Sequence, residues 1–222
     1  MINLPIPRLD KNPEIRNCLL KYSRLKEGEI WDDPLGKHRM GCLYDYLFQP
    51  SFTQSVNEKS YFFAVGILKQ LLPSLQRPSK TLDEKYSGQY DFFLPPHIRI
   101  EVKASRAVDF ELDEPLYIKA LASDSNRPFD MNFQQIKPAC CDVFVWLAAW
   151  RDAIRYWVIP SHDVENSPYY SKGQHRGNVG EGQLHLNREN IAKFDKYLCK
   201  STGLEKAIKE AFKKEKKFRR GA

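Results

Sequence analysis

The sequence predicts an α/β protein with a central mixed β-sheet flanked by helices. Three observations carry that prediction: a hairpin-like run at Gln89–Lys103, a nearly continuous apolar run at Asp142–Trp150, and helical patterns ahead of the hairpin and at the C-terminus. The 222 residues fit one domain, 1–222, divided into an N-terminal elaboration (1–54), a core (55–160) and a C-terminal part (161–222). With 42% hydrophobic residues the chain has enough apolar surface for a packed core, which excludes a disordered protein.

Residues 1–50 are punctuated by prolines and glycines, with one expected helix over Glu14–Lys26. Ser55 and Asn57 offer N-cap side chains to a helix running to Leu72. Its apolar residues cover most of its surface, and Pro73 stops it. Gln89–Lys103 reads QYDFFLPPHIRIEVK, two β-rich runs joined by Pro95, Pro96 and His97, so the prolines are confined to the turn. A short strand is expected at Leu116–Leu121, and a short helix over Asn132–Ile136, capped by Asp130 and stopped by Pro138. DVFVWLAAW at Asp142–Trp150 reads as a strand buried on both faces, and Ile154–Ile159 as its neighbour. Ser167–Gly182 is a loop with four glycines. Ser201 or Thr202 with Glu205 forms a capping box for a basic amphipathic C-terminal helix.

Charge is divided unevenly along this framework. From Lys193 onward there are eleven bases and four acids, a balance of +7, and this equals the net charge of the whole chain. A neutral body with a basic end points to a partner made of phosphates. Five cysteines with no CxxC spacing exclude a disulfide framework and a zinc ribbon. His38 and Cys42 have the spacing of half a metal site, without a second half. With no signal pattern and no membrane-length apolar run, a soluble, cytoplasmic protein with no membrane role is expected.

The hairpin carries the chemistry. A turn centred on Pro96 pairs residue i with residue 192 − i, which sets Asp91 opposite Glu101, with Cβ atoms roughly 4.5–5.5 Å apart. Lys103 shares the face of Glu101, while Phe92, Leu94, Ile98, Ile100 and Val102 form an apolar face. Facing carboxylates repel, and a divalent cation removes the conflict. Mg²⁺, with Mn²⁺ as an expected substitute, takes one or two carboxylates with water and phosphate oxygens, a set that Asp91, Glu101 and the Val102 carbonyl supply. The metal lowers the pKa of a bound water, and the ammonium of Lys103 is placed to position or help deprotonate that water.

Tyr90-Asp91 followed by Glu101-Val102-Lys103 resembles the PD-(D/E)xK nuclease motif, the signature of many type II restriction endonucleases and of related repair and recombination nucleases. The resemblance covers about Ser55 to Ile159. It implies a restriction-endonuclease-like core of helix, three-stranded meander, helix and strand, with Asp91 and Glu101 as metal-binding acids and Lys103 as the catalytic lysine. Tyr90 stands where the motif's name has proline. Many members add an acid from the preceding helix; Glu58 is the candidate and Glu84 its competitor. Gln134 and Gln135, after the motif, fall where the family approaches DNA or the active site.

Base edges are read by Arg, Lys, Asn, Gln and His. The segment SKGQHRGNVGEGQLH offers Lys172, Gln174, His175, Arg176, Asn178, Gln183 and His185 among glycines that permit close approach. The basic C-terminal helix is expected to track phosphates, so that removing residues 213–222 weakens binding and its salt dependence without abolishing cleavage at high enzyme concentration. The reading that follows is a Mg²⁺-dependent endonuclease acting on double-stranded DNA, of restriction type and homodimeric. No phosphate-binding loop or helicase motif appears, so no ATP is expected. Two alternatives stand beside it: a structure-specific repair, recombination or transposition nuclease of the same fold, and a non-catalytic DNA-binding protein.

Overall fold

The computed structural model describes residues 67–113, 119, 121–150, 153–173 and 180–221. The expected N-terminal elaboration (1–54), with its helix and the His38/Cys42 pair, lies outside the described residues. So do Glu58, most of the expected strand at 116–121, and Gln174, His175, Arg176 and Asn178.

The described chain is mixed α/β, with a mixed five-stranded sheet, a second four-stranded sheet and a C-terminal helix. In chain order the strands are β1 (Phe92–Leu94), β2 (Ile98–Arg106), β3 (Val108–Asp109), β4 (Phe129–Ile136), β5 (Val143–Ala149), β6 (Ile154–Pro160), β7 (Tyr170–Lys172), β8 (Gly182–Asn187) and β9 (Leu198–Cys199). The helices are α1 (Ser161–Glu165) and α2 (Leu204–Gly221). The first sheet has the order β1-β2-β5-β6-β9, the second β3-β4-β8-β7.

At the centre lies β5, buried at every position, as its unbroken apolar run predicts. It runs parallel to β2 and antiparallel to β6. One face of this sheet carries Phe92, Leu94, Ile98, Ile100, Val102, Val143, Val145 and Leu147. This face packs against a helical segment at 67–71 and against Leu204, Ile208 and Ala211 of α2. The helical segment is the described end of the expected 55–72 helix, and it stops at Pro73 as predicted. The opposite face carries Phe144, Trp146, Ala148, Trp157 and Ile159 and packs on Met131, Phe133, Leu184 and Leu186 of the second sheet. Trp146 lies stacked on Phe133, ring centroids 4.6 Å apart. Two apolar layers therefore sandwich the first sheet.

Three local expectations are corrected. Residues 129–136 form strand β4, not a capped helix: Phe129, Met131 and Phe133 point inward while Asp130, Asn132 and Gln134 do not. Gln134 and Gln135 consequently sit in a β-bulge, where the register with β8 shifts between Phe133 and Ile136. Gln135 takes a left-handed φ of 54° there. The parallel crossover from β2 to β5 thus passes through a second sheet where the resemblance implies a helix, and β2 is flanked by β1 and β5. The loop expected at 167–182 contains β7, which pairs with β8. Ser201 and Thr202 form a 3-10 turn with Gly203, and Glu205 pairs with Lys209 (2.6 Å) in place of a capping box.

Candidate active site

The hairpin has the expected register, with Phe92 opposite Ile100 and Leu94 opposite Ile98. Beyond this ladder Asp91 donates its backbone N–H to the Ile100 carbonyl (3.0 Å), and its carboxylate accepts the backbone N–H of Val102 (2.7 Å). Because a strand residue presents N–H and C=O along the same edge, the Val102 carbonyl lies on the Asp91 side. Tyr90, the residue before the acid, is buried. Its hydroxyl donates to Asp83 (3.0 Å), and burial first, then Asp83, pushes that phenol well above its ordinary range. Asp91 itself is held by β2 through both its backbone N–H and its carboxylate.

Glu101 faces the seam between the two sheets and is only 9% exposed. Its carboxyl lies 2.5 Å from the Lys103 ammonium and is hydrogen-bonded to Asp91. Burial pushes its pKa up to about 7; Lys103 opposes that rise, and the Asp91 charge adds to it. The hydrogen bond to Asp91, together with the lysine, relieves the repulsion that the sequence predicts for facing acids.

This shift has a measurable consequence. Between the ordinary glutamate value and about pH 7 the folded protein holds a proton that the unfolded chain has released, so stability falls as pH rises through this window. At about 1.4 kcal/mol per unit, the loss is roughly 3 kcal/mol. Glu101→Gln should flatten the dependence. In urea denaturation with EDTA, the variant is expected to gain stability over the native protein at pH 8 and not at pH 4.5; a difference that does not change with pH would refute this.

Among the described residues no cluster of three or more His, Cys, Asp or Glu side chains is built for a metal. Mg²⁺ does not need one, and the all-oxygen set of Asp91, Glu101 and the Val102 carbonyl fits its preference for few carboxylates completed by water and phosphate.

The remaining expected site residues divide. Glu84 is exposed and stands outside the acid pair. Lys172, Gln183 and Gln135 come together at one end of the second sheet: Lys172 pairs with Gly182, next to Gln183, and the bulge sets Gln134 and Gln135 against Gln183. His185, on the same strand, is engaged by Asp130 at 2.9 Å. This end of the sheet adjoins the site. Lys137, directly after β4, pairs with buried Glu181 at 2.7 Å, and the Glu101 charge is among those that raise the pKa of Lys137. Nothing in the sequence marks Lys137 and Glu181 as neighbours of Glu101, since the second sheet alone brings residues 137 and 181 together.

No protein-family model and no curated protein matches the chain. Among the described residues no helix is long and apolar enough to cross a membrane.

Proposed function

We propose that the chain is a Mg²⁺-dependent endonuclease that hydrolyses phosphodiester bonds of double-stranded DNA, of restriction type and acting as a homodimer. The observation that supports it best is the joining of Asp91 and Glu101 across the hairpin, with Lys103 at 2.5 Å from Glu101, at the seam of two sheets. This is also the constellation on which the resemblance to PD-(D/E)xK nucleases rests. The sheet crossover between β2 and β5 departs from the helix of that family's core and leaves the hairpin itself unchanged.

A divalent cation held by Asp91, Glu101 and the Val102 carbonyl would supply an activated water and offset charge on the scissile phosphate. The protein's own part is positional. The Val102 N–H fixes the Asp91 carboxylate, burial and the lysine fix Glu101, and the Lys103 ammonium is held where it can orient a water and stabilise developing negative charge. Lys172, Gln183 and Gln135 lie at the adjoining end of the second sheet, where they would meet base edges.

Incubating the full chain with long duplex DNA and Mg²⁺ tests the proposal. Discrete, reproducible fragments are expected. Cleavage of branched DNA alone would replace restriction by structure-specific repair or recombination, and DNA binding without any cleavage would leave a non-catalytic DNA-binding protein.

A further inference from the structure

Two carboxylates away from the proposed metal site are buried almost completely: Asp142 is 5% exposed and Glu215 is 2% exposed. Buried carboxylates are costly unless their oxygens are paired, and here every oxygen is. Asp142 accepts from the Arg99 backbone N–H (2.9 Å), from Arg99 Nε (3.1 Å) and from its terminal nitrogen (2.8 Å), and Arg219 approaches at 3.4 Å. Glu215 accepts from Arg219 Nε (2.7 Å), from the His162 backbone N–H (2.9 Å) and lies 2.7 Å from His162 Nδ1. Arg219 also donates to the Cys141 carbonyl (3.0 Å). Two guanidinium groups, one from the start of β2 and one from the last turn of α2, are locked in place by acids that are themselves hidden.

Both arginines and the two acids line an open cleft of about 300 Å³, which His97, Phe212, Lys216 and Arg220 complete. Four cations face two carboxylates, so the lining carries two net positive charges before His97 is counted. Lys216 and Arg220 are exposed. The guanidinium N–H groups that the acids leave unused, with the exposed Lys216 and Arg220 beside them, match a phosphate, which takes several N–H donors and added positive charge.

Through Arg99 the cleft reaches β2, the strand that carries Glu101. Arg99 shares the strand and face of Glu101 two residues earlier, a rise of about 6.6 Å. DNA carries one phosphate per ~3.4 Å of axis on each strand. We propose that the cleft is a second phosphate subsite, which grips the DNA backbone one or two nucleotides from the phosphate held at Asp91 and Glu101. Its role relative to cleavage rests on the nuclease reading; its binding of DNA does not.

The test measures affinity of the full chain for duplex DNA across a salt series in EDTA, where cleavage cannot occur. Lys216→Ala/Arg220→Ala changes two exposed side chains and leaves the buried acids paired. It is expected to weaken binding about tenfold or more at 0.1 M salt and to lower the salt slope by about two. Inorganic phosphate and vesicles of anionic lipid serve as parallel probes. An unchanged slope and affinity would overturn the subsite, as would stronger loss of vesicle binding than of DNA binding. If the native protein binds DNA through the cleft and never cleaves it with Mg²⁺, the nuclease reading fails and the subsite stands. If it cleaves and the double variant binds as tightly as the native protein, the subsite alone fails.

Discussion

Replacing Lys103 with alanine is expected to lower Mg²⁺-dependent cleavage by about 10²–10⁴-fold, the range spanned by positioned proton-transfer groups. Two losses combine in the variant. The ammonium that would orient the attacking water is gone, and Glu101 loses the cation that opposes the upward push of burial on its pKa. A carboxyl that keeps its proton more firmly is a poorer ligand for a divalent cation, so the variant should also need more Mg²⁺. Lys103 is largely but not fully buried, its side chain 13% exposed, and it belongs to neither apolar core cluster. The fold should therefore survive, which circular dichroism and unchanged duplex affinity in Ca²⁺ would establish. Full cleavage by the folded variant would remove Lys103 from the mechanism.

A chain ending at Phe212 is expected to lose about 3–5 kcal/mol of stability, because the His162 backbone N–H, the His162 ring and the Cys141 carbonyl lose their partners at about 1–3 kcal/mol each, while Asp142 keeps Arg99. The sequence presents residues 213–222 as a basic segment whose loss weakens DNA binding without abolishing cleavage. The structure makes them half of a buried network, because Glu215 accepts from His162 and Arg219 while Arg219 reaches Asp142 and Cys141. The His162 ring also loses Phe218, on which it stacks at 4.3 Å. For a domain of this size the loss corresponds to a melting temperature roughly 6–20 °C lower. A truncated chain that melts within about 2 °C of the native protein would show that the network contributes little. Weakened DNA binding by this truncation thus mixes two effects, which is why the subsite is tested with point variants that leave Glu215 and Arg219 in place.

The hairpin and its acids were legible because they are local: two prolines fix the turn, alternation fixes the faces, and together they fix the register that sets Asp91 by Glu101. Strand β5 was legible from its length of apolar sequence. Strand β4 was not, for a specific reason. Its bulge adds one residue between Phe133 and Ile136, so the last two inward side chains are three apart, the spacing of a helix. Asp130 and Pro138 then mimic a cap and a stop. The pairs Lys137–Glu181 and Arg99–Asp142 join distant segments, and no spacing within the chain announces them.

Among the described residues the outermost strands of the two sheets are β1, β9, β3 and β7, and each is only two or three residues long. A neighbouring chain that sought to extend either sheet at these strands would find a ladder of only two or three residues to continue, and on β1 the outer N–H and C=O of Phe93 are already bonded to Gln76 ahead of two prolines. Such short margins guard against edge-to-edge aggregation. They also constrain the proposed homodimer: its halves are expected to meet through side chains on loops and helices, with neither sheet continued across the interface.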